Sequence, residues 1–188
     1  MALIKVWPFE IIGSVKFNFK SLLKNRTKLI GEFMNNISLV EMTENEFEQY
    51  FLDKIQRYAV ALSQNAPEDN QEFEIKAKIQ LGNLLPDGIG TLGHYLFNIY
   101  CEKNNVGYIW VKEDVEKKSA FLYEIYIFDE FRNKGYGSRA MKKIEEWMKN
   151  HNLLFLKLHV FGSNIEARKL YERIGFEIAG VNMMKKVE

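Results

Sequence analysis

The sequence predicts an α/β domain built on a mixed sheet. Three observations carry this: a β-α-β-α-β order over the last third of the chain, two β-prone runs forming a hairpin before it, and an amphipathic helix opened by a capping box. The hairpin requires antiparallel neighbours. A β-α-β unit implies parallel ones joined by a right-handed crossover, with any ligand at the carboxyl ends of the strands. At 188 residues the chain is long enough for one domain with a full core and short for two.

The first element is the short β-prone run Ile37–Met42. Thr43 followed three residues on by Glu46 is a capping box, so a helix starts there. Phe47, Tyr50, Phe51, Ile55, Tyr58, Ala59 and Leu62 recur at helical spacing, and Asn65-Ala66-Pro67 stops the run. Residues 72–81 alternate polar and apolar like a strand, yet Phe73, Ala77, Leu81 and Leu84 also share one helical face. Periodicity leaves both readings open. Pro86, Gly88, Gly90 and Gly93 mark a loop. The strands Tyr95–Glu102 and Val106–Lys112 follow, with Lys103-Asn104-Asn105 as their turn. A long β-prone run, Ser119–Phe128, leads through a glycine-containing turn into a helix over about Gly137–Asn150. Leu153–Val160 reads as a buried strand, Asn164–Ile174 as a helix and Phe176–Lys186 as a last strand.

Composition narrows the function. Hydrophobic residues at 47% and charged residues at 27% are ordinary for a globular chain and argue against disorder. A net charge of +1 argues against a dedicated nucleic-acid binder, which needs a strongly basic face. Cys101 is the single cysteine, and the three histidines show no metal-ligand spacing, so a disulfide framework and a metal site are not expected. No apolar run approaches the roughly 20 residues of a membrane helix. Pro8, Glu10 and Lys16 interrupt the N-terminal apolar stretches, unlike a secretory signal, and a cytoplasmic setting fits best.

Two segments carry chemistry. In Arg132-Asn133-Lys134-Gly135-Tyr136-Gly137, between a strand and a helix, glycines permit a tight turn whose N–H groups converge with the positive end of the helix dipole. Such a nest suits a pyrophosphate, although Gly-x-Gly alone is as compatible with a plain turn. It is neither a P-loop nor a complete dinucleotide fingerprint, since Ala140 stands where a third glycine belongs. The second segment runs from Leu158-His159-Val160 into a helix. Asn164 stands at its N-cap and Tyr171 two turns along the same face, so both can address one ligand, or serve as cap and core aromatic.

Arg132-x-x-Gly135-x-Gly137 after a strand, then Asn164, Ala167, Leu170-Tyr171 and Gly175-Phe176, resembles the paired signature of the GNAT superfamily of acetyl-CoA-dependent N-acetyltransferases. Leu84-Leu85-Pro86-Asp87-Gly88 and Gly93-His94-Tyr95-Leu96-Phe97 extend the likeness to the YycN-like Bacillus group within it, and favour a helix over 70–84. The resemblance implies a central, mostly antiparallel sheet with a parallel pair near the cofactor, flanked by helices. It implies that the backbone of Ile125, Tyr126 and Ile127 pairs with the pantetheine arm of acetyl-CoA. It further implies that N–H groups from Asn133 to Ser138, in the turn holding Arg132, Lys134, Gly135, Tyr136 and Gly137, hold the pyrophosphate. Asn164 and Tyr171 match the family's asparagine and tyrosine.

Direct transfer to an amine needs a base, a polarised carbonyl and a proton for the leaving thiolate. His159 is the first candidate base and Glu124, on the strand before the turn, the second; Tyr171, with a phenol pKa near about 10, is the candidate acid. The implied partners are acetyl-CoA and an amine acceptor, with no metal, nucleic acid or membrane, and a monomer or homodimer. Two other readings stay open: an acyl-CoA-binding module without turnover, and a nucleotide-binding α/β domain. The acceptor is open among a polyamine, an aminoglycoside, a free amino acid and a protein N-terminus, with His94, Tyr95, Phe97 and the first two helices as candidate walls.

Residues 1–33 stand apart. They carry Lys5, Lys16, Lys20, Lys24, Arg26 and Lys28 against Glu10 and Glu32, while the rest of the chain is slightly acidic. Such a leader could lie on a membrane or nucleic acid, but it lacks a helical period. Gly31-Glu32-Phe33-Met34 can be encoded by GGAGAATTTATG, a ribosome-binding sequence before a start codon. The expectation is therefore that 1–33 is a non-native or disordered leader translated in frame, and that the acetyltransferase domain spans 34–188. A chain beginning at Met34 should keep its activity and melting temperature, and loss of folding would overturn this reading.

Overall fold

The structure, a computed structural model, describes residues 37–65 and 72–185; the leader 1–33 and the helix stop at Ala66-Pro67 lie outside the described residues. Ile37–Glu41 forms β1, at one edge of the sheet. Thr43 then caps α1, Glu44–Asn65. The cap is reciprocal: the Thr43 N–H donates to Glu46 Oε2 at 2.8 Å and the Glu46 N–H donates to Thr43 Oγ1 at 3.4 Å, which satisfies donors otherwise orphaned at a helix start. The helix buries Phe47, Tyr50 and Ile55, as its spacing predicts.

The segment that periodicity left open is a helix, α2, Phe73–Leu84. Ala77 and Leu81 are buried against α1, whereas Ile75 and Ile79, which a half-buried strand would place on the same face as Ala77, are exposed. A three-residue turn, Gly88–Gly90, leads into the strands β2 (His94–Cys101), β3 (Asn104–Asp114) and β4 (Ser119–Ile127). These pair antiparallel in sequence order, and β5 (Phe155–Leu158) adds to β4 in parallel after the crossover helix α3 (Tyr136–Asn150). A last helix, α4, spans Ile165–Arg173. The result is a mixed five-stranded sheet flanked by four helices.

The sheet separates two cores. On one face Ala140, Met141, Ile144 and Met148 of α3 pack on Ile109, Val111, Ala120 and Leu122. On the other, α1 and α2 pack on Leu96 and Trp110. A Cβ at Gly107 would stand 2.0 Å from the Tyr126 carbonyl oxygen, so only glycine lets β3 and β4 approach this closely there.

Three expectations need correction. The β2–β3 turn is Glu102-Lys103, with Glu102 at φ 58°, and not Lys103–Asn105. Asn105 enters the ladder instead, because its Oδ1 accepts the Gly107 N–H and its Nδ2 donates to Asn98 Oδ1, both at 3.0 Å. The strand read over Leu153–Val160 as buried is only the four residues of β5, none of them fully buried: Phe155 is 62% exposed, and β5 is an edge strand among the described residues. The final strand read over Phe176–Lys186 is absent through Lys185. Ile178, Val181, Met183 and Met184 are exposed there, and Gly180 interrupts the apolar alternation that a strand needs.

Candidate active site

β4 is the strand from which the site is built. Its register against β3 shifts so that Trp110 faces Glu124 while Val111 faces Leu122, which leaves Tyr123 unpaired as a bulge. Pairing with β5 stops at the same point, Leu122 opposite Leu158. From Tyr123 to Ile127, β4 therefore has β3 on one side and no strand on the other among the described residues. Backbone groups on that open side need a partner from solvent or a ligand.

A cleft of about 790 Å³ occupies the gap. It brings together seven of the residues singled out in the sequence: Glu124, Ile125, Tyr126, Arg132, His159, Asn164 and Tyr171. Ile127, Asn133, Lys134, Gly135, Tyr136, Gly137 and Ser138 do not line it; they lie at the end of β4 and in the turn that opens α3. That turn has the nest geometry the sequence predicts. Asn133 at φ 61° and Gly135 at φ 77° are both left-handed, and Gly135 caps α3 with no side-chain hydrogen bond. The first N–H groups of α3 thus lack a side-chain partner and carry the positive end of the helix dipole.

Cations surround the turn. Arg132 donates to the Ile127 carbonyl at 3.0 Å and pairs with Asp129 at 2.7 Å, while Lys134 donates to the Glu130 carbonyl at 2.7 Å. Two further arginines were not singled out from the sequence. Arg139 donates to the Lys134 carbonyl at 2.9 Å and leaves its buried Nε without a partner; Arg173 of α4 donates to Ser138 Oγ at 3.2 Å. Arg139 was findable as a cation in the first turn of the helix after the glycines. Arg173 was not, because only the packing of α4 beside α3 brings it there. An orphaned guanidinium N–H, an uncapped helix start and two left-handed residues form a donor set that fits a pyrophosphate.

Glu124 is the most heavily engaged group in the cleft. Its carboxylate takes a salt bridge from Lys54 at 2.9 Å, another from Arg57, and a hydrogen bond from the Tyr50 hydroxyl at 2.7 Å. Burial pushes the carboxyl up, but the Lys54 and Arg57 cations and these hydrogen bonds outweigh it and hold the group below its ordinary value. Arg57 also pairs with Asp53 at 2.7 Å and stacks 4.0 Å over the Tyr126 ring. Lys54 and Arg57 were missed in the sequence. Their signal was a cation standing amid the apolar stripe of α1, four residues after Tyr50 and four before Tyr58, with Arg57 one turn beyond.

Tyr171 packs its ring on Phe176, with centroids 5.5 Å apart, and no described residue hydrogen-bonds its hydroxyl. Burial, with the Glu124 charge, pushes its pKa up to about 12, so the phenol keeps its proton. Asn164 accepts the Ala167 N–H at 3.1 Å as the N-cap of α4. His159 is exposed at the mouth of the cleft, edge-on to Phe161. Of the expected acceptor walls, α1 and α2 line the cleft. Tyr95 and Phe97 do not: they pack on Trp147 of α3, across the sheet. His94 is buried behind the wall, stacked on Tyr123. Among the described residues no group of three His, Cys, Asp or Glu could hold a metal ion, and no helix is long and apolar enough to cross a membrane.

The acetyltransferase (GNAT) family model matches residues 42–176. The uncharacterized N-acetyltransferase YycN of Bacillus subtilis is 34% identical over 80% of this chain and 99% of its own length, and YdgE of the same organism is 29% identical over 80% and 98%. The crystal structure of YycN superposes with a TM-score of 0.78 over 81% of this chain and 99% of YycN. The paiA N-acetyltransferase of Thermoplasma acidophilum, solved in complex with coenzyme A, superposes with a TM-score of 0.59 at 18% identity, over 78% of this chain and 93% of its own.

The Glu124 cluster has a measurable consequence. A carboxyl held below its ordinary 4.5 contributes stability above that pH and loses it as pH falls. Glu124→Gln should destabilise the fold by about 3 kcal/mol at neutral pH, because it leaves the partly buried Lys54 without its carboxylate and Arg57 with Asp53 alone. The difference from the parent chain in urea unfolding should shrink as pH falls below about 4.5.

Proposed function

The chain belongs to the acetyltransferase (GNAT) family and is an acyltransferase, and we propose that it moves an acetyl group from acetyl-CoA directly to a primary amine of a small molecule or a protein N-terminus. The activity is assigned to residues 34–188, with 1–33 as a leader. The observation that carries the reading is one cleft in which the open side of β4, the unpartnered Tyr171 hydroxyl and His159 meet. The coenzyme A in the solved paiA protein is consistent with it.

Acetyl-CoA supplies an activated acyl thioester. Backbone groups of Ile125, Tyr126 and Ile127 hold the pantetheine arm as a further strand would, and one N–H near Ile127 polarises the carbonyl. The nest from Asn133 to Ser138, with Arg132, Lys134, Arg139 and Arg173 around it, holds the pyrophosphate. His159 accepts the proton of the incoming amine. Glu124 is the weaker candidate for that role, because a carboxylate neutralised by two cations has little proton affinity. Tyr171, its pKa raised to about 12, stays protonated at neutral pH and is the proposed proton donor to the departing thiolate.

Tyr171→Phe should lower kcat by roughly 10²–10⁴ while acetyl-CoA binding, measured by calorimetry, stays nearly unchanged. An unaltered kcat removes Tyr171 from the chemistry. His159→Ala should abolish the low-pH limb of the rate profile, and an unchanged profile would transfer the base role to Glu124 or to water.

A further inference from the structure

On the reading just given, we infer that the acceptor is a monoamine carrying a flat aromatic group, not a polycation. The argument starts from the half of the cleft that lies beyond Glu124, against α1 and α2. Its walls are Tyr58, Leu81, Leu84, Trp110, Phe121 and Tyr123. They form an ordered stack: Tyr123 lies on Trp110 with centroids 4.5 Å apart and planes 20° apart, on His94 at 5.7 Å and 28°, and Phe121 leans on Tyr123 at 4.8 Å.

The polar ends of two of these rings, Trp110 and Tyr58, are turned to the protein. Trp110 Nε1 donates to His94 Nδ1 at 2.9 Å, and the Tyr58 hydroxyl donates to Gln80 at 2.9 Å. Burial, with the Lys112 charge, lowers the His94 pKa to about 4, so this ring is neutral near pH 7. What the wall offers a ligand is the partly exposed surface of Tyr58, Leu84, Phe121 and Tyr123, with Trp110 and Leu81 buried behind them, and another ring binds such surface by stacking and by loss of apolar area to water.

Charge points the same way. Among the described residues lining the cleft the cations are Lys54, Arg57 and Arg132, and the carboxylates are Glu124 and Asp129. Both carboxylates are engaged, Glu124 by Lys54, Arg57 and Tyr50, and Asp129 by Arg132. A polyamine or an aminoglycoside brings several ammonium groups, and of the carboxylates lining the cleft among the described residues the buried Glu124 is already held by Lys54, Arg57 and Tyr50, which leaves the exposed Asp129, paired with Arg132, to meet them. A monoamine makes no such demand: its one nitrogen is the reacting group, and its ring is left to the apolar wall.

The experiment follows free-thiol release by the full chain from acetyl-CoA with tryptamine, 2-phenylethylamine, spermidine and kanamycin, alongside calorimetric titration of acetyl-CoA. The kcat/KM for the two aryl amines should exceed that for spermidine and kanamycin by ~10-fold or more. Equal or better use of either polycation overturns the inference, as does acetyl-CoA binding without turnover of an aryl amine; both results leave the cofactor reading standing. Failure to bind acetyl-CoA would instead bring down the proposed function, and this inference with it. Leu84→Lys, at the partly exposed end of α2, should raise the KM for tryptamine ~10-fold with acetyl-CoA affinity unchanged; an unchanged KM overturns the aromatic wall as the acceptor site.

Discussion

The bulge at Tyr123 is the constraint on which the other features of the molecule depend. One residue dropped from the β3–β4 ladder moves Glu124 and Tyr126 onto the α1 face and keeps Ile125 and Ile127 on the α3 face with Leu122. A strand without that shift would carry Tyr123 and Ile125 on one face and point Glu124 into the same core as Leu122, where nothing could neutralise it. The bulge coincides with the end of β4–β5 pairing, so the change of face and the opening of the sheet are one event. The cleft exists because β4 continues after β5 has left it.

Glu124 is what makes α1 belong to this site. The helix is tied to the sheet by apolar burial of Phe47, Tyr50 and Ile55, but burial is non-directional and would tolerate rotation of the helix about its axis. Tyr50, Lys54 and Arg57 recur at four- and three-residue steps, and all three converge on one carboxylate. Desolvating these charges offsets most of what their attraction contributes, so the cluster is weak evidence for stability and stronger evidence for a fixed orientation. Arg57 then stacks on Tyr126, which extends the same orientation along β4.

Much of this was legible in the sequence, where local chemistry decides conformation. The Thr43/Glu46 box marked its helix, and the glycine turn before α3 showed its left-handed residues through Asn133 and Gly135. Elements decided by distant partners were not legible. Residues 72–81 fit two periods, and only α1 lying beside them selects the face of Ala77 and Leu81. Asn105 looks like a turn residue until its side chain meets that of Asn98 on the neighbouring strand. The apolar residues after Phe176 look like a strand, yet Gly180 and the lack of a neighbouring ladder leave them exposed. At the site, Ile127, the turn residues and Asn164 were legible because each sits at a strand end or helix start, and Tyr171 because it follows Asn164 at helical spacing. Lys54, Arg57 and Arg173 were not, since each reaches the site through packing between elements far apart in sequence.

The two halves of the site follow different physical rules. The turn before α3 offers backbone N–H groups and a helix terminus, which nearly any side chains can accompany. The wall of Tyr58, Trp110, Phe121 and Tyr123 is made of side chains alone, held by contacts such as the Trp110–His94 hydrogen bond. On the proposed function the backbone turn would recognise the acyl donor, and the side-chain wall, uncharged and beside a buried carboxylate already held by two cations, would select an acceptor by shape and apolar surface.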